Sequence, residues 1–181
     1  MKKIFGIVAV CSAASVLAAE PVLTCKLGPR PSQNVAVVRD LKIASTYVYY
    51  LRHGKVRTPF FGSLDNSRGA MVNAQCVGKK QRALIVSGEF TANALQGFAI
   101  TNFPDSDRPE RLDFAEKNRP TRFYVAPHEM LIVVATGGLG ETDAKYVAYR
   151  HVAGRSEQDE ARGMNELPSS SGFDVFNLNA R

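Results

Sequence analysis

The chain has 181 residues, 45% of them apolar and 22% charged, the balance of a globular protein and too apolar for a disordered one. Its formal charge is +6, from 23 basic and 17 acidic side chains, and two of the basic ones are Lys2 and Lys3 at the very start. The remaining basic residues come in small groups (Arg52, Lys55, Arg57; Lys79, Lys80, Arg82; Arg119, Arg122) mixed with acids, which argues against a nucleic-acid groove because no positive stripe is built.

Residues Met1–Ala19 read as a secretory signal peptide. Lys2-Lys3 is the basic start, Ile4–Val10 with Cys11 is the apolar run, and Val16-Leu17-Ala18-Ala19 ends it with small residues. The run is too short for a permanent anchor, so no membrane span is expected after cleavage. Cys11 follows Ala9-Val10 and lies inside the apolar run, which departs from a lipoprotein signal. The terminal Asn179-Ala180-Arg181 lacks the aromatic residue typical of an outer-membrane barrel. The expected product is a soluble periplasmic or secreted chain, residues 20–181, forming a single β-rich domain with 21 basic and 17 acidic side chains.

Two cysteines remain, Cys25 and Cys76. An even pair in an exported chain predicts one disulfide, with two buried free thiols as the alternative. Closing a loop of about fifty residues stabilises a fold by roughly 4 kcal/mol through loop-closure entropy.

Along the chain, short β-rich runs alternate with turn formers. Thr46–Leu51 is rich in β-branched and aromatic residues, and His53-Gly54 predicts a hairpin to Lys55–Phe61. Ala70–Val77 is a predicted strand carrying Cys76, followed by the polar turn Gly78–Gln81 and a second strand over Arg82–Phe90. Leu95–Phe103 follows, then the loop Pro104–Pro109 and the alternating Arg111–Phe114. Thr121–Ala126 and Met130–Thr136 are strands joined at Pro127-His128-Glu129. Gly137–Asp143 is an acid-tipped glycine loop, and Lys145–Val152 is another strand. Segment 154–171 is polar without periodicity; its best helical stretch, Ser156–Asn165, has only Ala161 and Met164 as apolar positions. Phe173–Leu178 reads as a last docked strand.

The fold class is therefore all-β: an antiparallel meander, β-sandwich or partial β-propeller-like sheet stack. The stretch Phe123–Ala135 resembles the inner hairpin of a β-propeller blade, and the strand pattern recurs at about forty residues. The chain is too short for four blades, so a stack of two or three units or a sandwich is expected.

Chemical motifs are sparse. His128-Glu129 begins like a zinc-protease motif, but Ile132 stands where the second histidine belongs. His53, His128 and His151 are expected on turns or strand rims. No Gly-x-Ser-x-Gly elbow occurs, and Gly137-Gly138-Leu139-Gly140 lacks the lysine-serine ending of a phosphate loop. Asp105 with Asp107 and Glu141 with Asp143 lie on loop tips, without the full ligand run of an EF-hand. No catalytic residue, metal ligand or cofactor is assigned.

The remaining contact candidates are these two acidic loops and a tyrosine-rich hairpin. Alternation places Tyr47, Tyr49 and Leu51 on one face, with Arg52 adjacent, and tyrosine and arginine are the residues that anchor interfaces. Short, exported, disulfide-stapled, β-rich chains without catalytic motifs have the profile of inhibitors and immunity proteins. The expected partner is another protein, a secreted hydrolase or envelope enzyme, met through Asp105, Asp107, Glu141, Asp143, Tyr47, Tyr49 and Arg52. The alternatives are an envelope hydrolase, with His128 or His151 gathered near Glu89, and a structural component of an envelope complex.

Overall fold

The computed structural model describes residues 19–40, 42–138, 142–155 and 160–178. Residues 1–18 of the segment read as a signal peptide, with Cys11, lie outside the described residues, as does Glu141. The fold is all-β and antiparallel, an eight-stranded and a five-stranded sheet. In chain order the strands are β1 (Glu20–Lys26), β2 (Asn34–Arg39), β3 (Tyr47–His53) and β4 (Val56–Pro59). Then come β5 (Arg68–Val77), β6 (Ala83–Glu89), β7 (Leu95–Thr101) and β8 (Glu110–Glu116). The second sheet holds β9 (Pro120–Ala126), β10 (Glu129–Ala135), β11 (Tyr146–Val152), β12 (Glu160–Met164) and β13 (Asp174–Asn177). Among the described residues no helix is long and apolar enough to cross a membrane.

Three meanders make up this arrangement. β1–β4 and β5–β8 join into one sheet only through two residue pairs of β3 and β5, Tyr47 with Gly69 and Val48 with Arg68. The alternation of β6 shows how the meanders stack. Leu84 and Val86 join a core with Val35, Val37, Tyr49, Leu51 and Phe60 of the first meander. Ala83 and Ile85 join a different core with Phe123, Val125, Met130, Ile132 and Val134 of the third. The middle meander is thus buried on both faces, which is why β6 reads as a continuous apolar run. The outer face of the third meander (Tyr124, Leu131, Val133, Ala148) is covered by Leu167 and Phe173 of the β12–β13 connection. This is an all-β antiparallel sheet stack, as expected, but its three meanders begin at Glu20, Arg68 and Pro120, about fifty rather than forty residues apart.

Cross-links between units are specific. The Cys25–Cys76 disulfide joins β1 to β5, its Cα atoms 5.6 Å apart, so the predicted pairing is present. Phe60 and Phe98 meet edge to face with centroids 5.0 Å apart, and Phe61 meets Phe90 at 4.9 Å. Arg111 lies 4.0 Å over the Phe98 ring and donates to the Phe60 carbonyl at 2.8 Å. From the β8–β9 turn, Arg119 donates to Ser87 Oγ at 3.0 Å and to the Met71 carbonyl, bridging the third unit to a bulge of β5.

The structure departs from the sequence reading in three places. Strands β1 and β2 occupy a stretch left unassigned, because Pro21, Pro29 and Pro31 break its pattern and Val35–Val38 is too short to carry a period. The polar segment 154–171 contains an edge strand, β12, whose pairing with β11 rather than its hydrophobicity makes it β. Phe103 lies beyond the end of β7, fully buried at the root of the following loop.

Candidate functional site

The meander path sends successive connections to opposite ends of the stack. At one end lie the β7–β8 loop (102–109), the two-residue β9–β10 turn Pro127-His128, and the turn after β11. Together they frame an open cleft of about 860 Å³ lined by Asp105, Asp107, Arg108, Glu110, His128 and His151, among others.

The loop is built from its ends inward. Phe103 is fully buried and stacks on the His151 ring, centroids 6.1 Å apart. The Ser106 amide donates to the Phe103 carbonyl at 3.1 Å, and Ser106 Oγ donates to the Arg108 carbonyl at 2.7 Å. Glu110 opens β8 and shares inward parity with Leu112 and Phe114, so its carboxylate points across to β11. There it meets His151 Nε2 at 2.7 Å and accepts from the Gly154 amide at 3.1 Å. Burial pushes the Glu110 pKa up, but the hydrogen bonds from His151, Gly154 and Ser106 outweigh it and hold the carboxyl below its ordinary value. The Ala153 amide donates to the His128 carbonyl at 2.8 Å, which ties the β9–β10 turn to the end of β11.

In front of this framework the groups are solvated. Asp105 and His128 approach to 3.6 Å with side chains 81% and 69% exposed, so their mutual attraction is weak. Asp107 is exposed on the same loop. The cleft thus has a fixed back wall and a solvated front that carries Asp105 and Asp107 together with Arg108 and Arg155.

The other expected contact residues separate. Asp143 is exposed on the β10–β11 loop, at the opposite end of the stack from Asp105 and Asp107, and its loop partner Glu141 lies outside the described residues. Tyr47 is half-buried with the Arg39 guanidinium 4.2 Å over its ring, and Arg39 also pairs with Glu20 at 2.8 Å. Tyr49 is only 4% exposed, stacked on Phe60 in the first core, and is therefore corrected from a contact residue to a core residue. Arg52 is exposed on β3. His128 sits on a turn as expected, whereas His151 is 8% exposed, not a rim residue. Its parity with Tyr149 turns it toward the second core.

Glu89 ends β6 at the far end of the stack, so the carboxylates gathered with the histidines are Asp105 and Glu110. Glu110 is the residue that motif reasoning misses. Its signal is parity: an acid at an inward position of β8, facing a histidine at an inward position of β11. Among the described residues no three His, Cys, Asp or Glu side chains converge in a way that could hold a metal ion. Comparison with known protein families, curated proteins and solved structures finds no match.

Proposed function

We propose that this chain is an exported binding protein that blocks a secreted hydrolase or an envelope enzyme, as an inhibitor or immunity protein does, and that the Asp105–Asp107 loop is its main contact. The observation that carries this reading is the division of the cleft. Phe103, Ser106, Glu110 and His151 fix the loop from behind, while Asp105, Asp107 and Arg108 face solvent, Asp105 in a weak exposed pair with His128. A loop ordered before binding loses little entropy on binding, and solvated acids on it steer a basic partner surface into contact. The disulfide fits the oxidising compartment that the signal-peptide reading implies.

A second reading has one observation in its favour: one cleft gathers two histidines, three carboxylates and a hydroxyl. An envelope hydrolase needs such a gathering. In this cleft the Ser106 hydroxyl is shared between the Arg108 carbonyl, at 2.7 Å, and the Glu110 carboxylate.

Affinity capture with the oxidised chain, residues 20–181, from envelope and culture-supernatant extracts tests the proposal. It expects one dominant enzyme partner at moderate salt. No partner at low or moderate salt, together with hydrolase activity that His151→Asn abolishes, would favour the second reading.

A further inference from the structure

Strand β12 is the outer strand of the third meander, and among the described residues it pairs with β11 alone. Glu160, Ala161, Arg162 and Gly163 are all exposed. Folded proteins usually guard such an edge with a short strand, charged side chains, a proline, a bulge, an inward charge or a covering segment. Of these, β12 has a five-residue length and the charges of Glu160 and Arg162. β12 contains no proline, and its register with β11 runs from Arg150–Glu160 to Tyr146–Met164 without a shift. Parity adds a second feature. Ala161 lies opposite Tyr149 and shares the inner face with Gly163, whose inner side is packed by Thr142 and Ala144 of the β10–β11 loop. Glu160 and Arg162 occupy the outer face, two residues apart and opposite in charge.

That spacing is self-complementary. We propose that the free edge of β12 pairs antiparallel with the same edge of a second copy, in the register centred on Ala161. Glu160 then lies opposite the partner's Arg162, Ala161 opposite the partner's Ala161, and Arg162 opposite the partner's Glu160. The two-fold axis makes both charge pairs at once, and the two five-stranded sheets become one continuous sheet. The neighbouring registers lack this match. Centring on Arg162 sets the two arginines against each other, and a register between Ala161 and Arg162 puts Glu160 opposite glycine. The small Ala161 lets the strands approach to ladder distance on the inner face, beside the groove of about 520 Å³ that Ala161 lines with Ala115 and Tyr149.

The test is sedimentation of the oxidised chain, residues 20–181, over a concentration series reaching about 1 mM, in about 0.15 M salt to screen its net positive charge. Glu160→Arg, Arg162→Glu and the double variant are run beside it. Both substitutions are at exposed positions, and circular dichroism checks that the sheet content of all three variants is unchanged. A concentration-dependent dimer is expected, weakened about tenfold or more by either single reversal, because each creates two like-charge pairs. The double variant is expected to recover the original association. A chain that stays monomeric throughout overturns the proposal, including one that takes a strand from a different protein at this edge. So does a dimer that the single reversals leave intact, or one that the double variant fails to restore.

Discussion

Removing the Glu110 carboxylate tests whether the cleft has a fixed back wall. In Glu110→Ala, His151 Nε2 loses an acceptor at 2.7 Å and the Gly154 amide one at 3.1 Å, and Ser106 loses a neighbour. The His151 and Glu110 side chains are 10% and 16% exposed, so water replaces the lost partner poorly. Charge-assisted hydrogen bonds in such settings contribute about 1.5–3 kcal/mol, so the expected loss is about 2–3 kcal/mol, or roughly 5–10 °C in melting temperature. Urea denaturation of the parent chain, Glu110→Ala, His151→Ala and the double variant measures it. A coupling of at least about 1 kcal/mol is expected between the two sites. Additivity within about 0.3 kcal/mol would refute the reasoning, because the pair would then not join β8 to β11. The pH dependence has a definite sign. Glu110 titrates lower in the folded chain than in the unfolded one, so the unfolded state binds more protons. Its stabilisation is complete above the ordinary value of 4.5 and is lost as the pH falls through the lower folded value. Glu110→Gln is expected to flatten the acid limb of the stability curve.

Burial holds His53 below its ordinary 6.5, so protonation favours the unfolded chain and stability falls as the pH drops through that region. In His53→Gln the slope of unfolding free energy between roughly pH 5 and 7 should be reduced, and an unchanged slope would contradict the assignment. Reducing the Cys25–Cys76 bond, or replacing both cysteines by serine, is expected to cost about 4 kcal/mol in urea denaturation; a loss under about 1 kcal/mol would show that β1 and β5 are held together by packing alone. Gly97 lies where an added Cβ would collide with the Val86 carbonyl and the Phe114 ring. Gly97→Ala is therefore expected to destabilise by about 2 kcal/mol or more, and a neutral result would mean that β7 does not approach its neighbours as described.

The all-β class and most strands were legible in the sequence because each signal is local, and the disulfide because only two cysteines follow the signal-like segment. Thr46–Leu51 and Met130–Thr136 announce strands by residue type, and His53-Gly54 announces the turn that Gly54 makes at φ +57°. What was not legible depends on partners distant in sequence. Glu160–Met164 is β only because β11 offers it a ladder, and its own side chains carry no apolar period. Tyr49 was placed on the right face, but alternation alone does not say which face meets another sheet. Only the approach of the middle meander makes that face core. The Glu110–His151 pair spans forty-one residues and two sheets, so no spacing rule finds it. Asp105 and Asp107 were legible as an acidic loop, whereas the buried supports that give the loop a fixed shape were not.

The most direct test of the account is capture from envelope and supernatant extracts at moderate salt, with the parent chain, Asp105→Lys/Asp107→Lys and Arg52→Glu run side by side and read by mass spectrometry. The account expects one enzyme retained by the parent chain and by Arg52→Glu, and lost from the doubly substituted loop. Retention of that enzyme by the loop variant would contradict it.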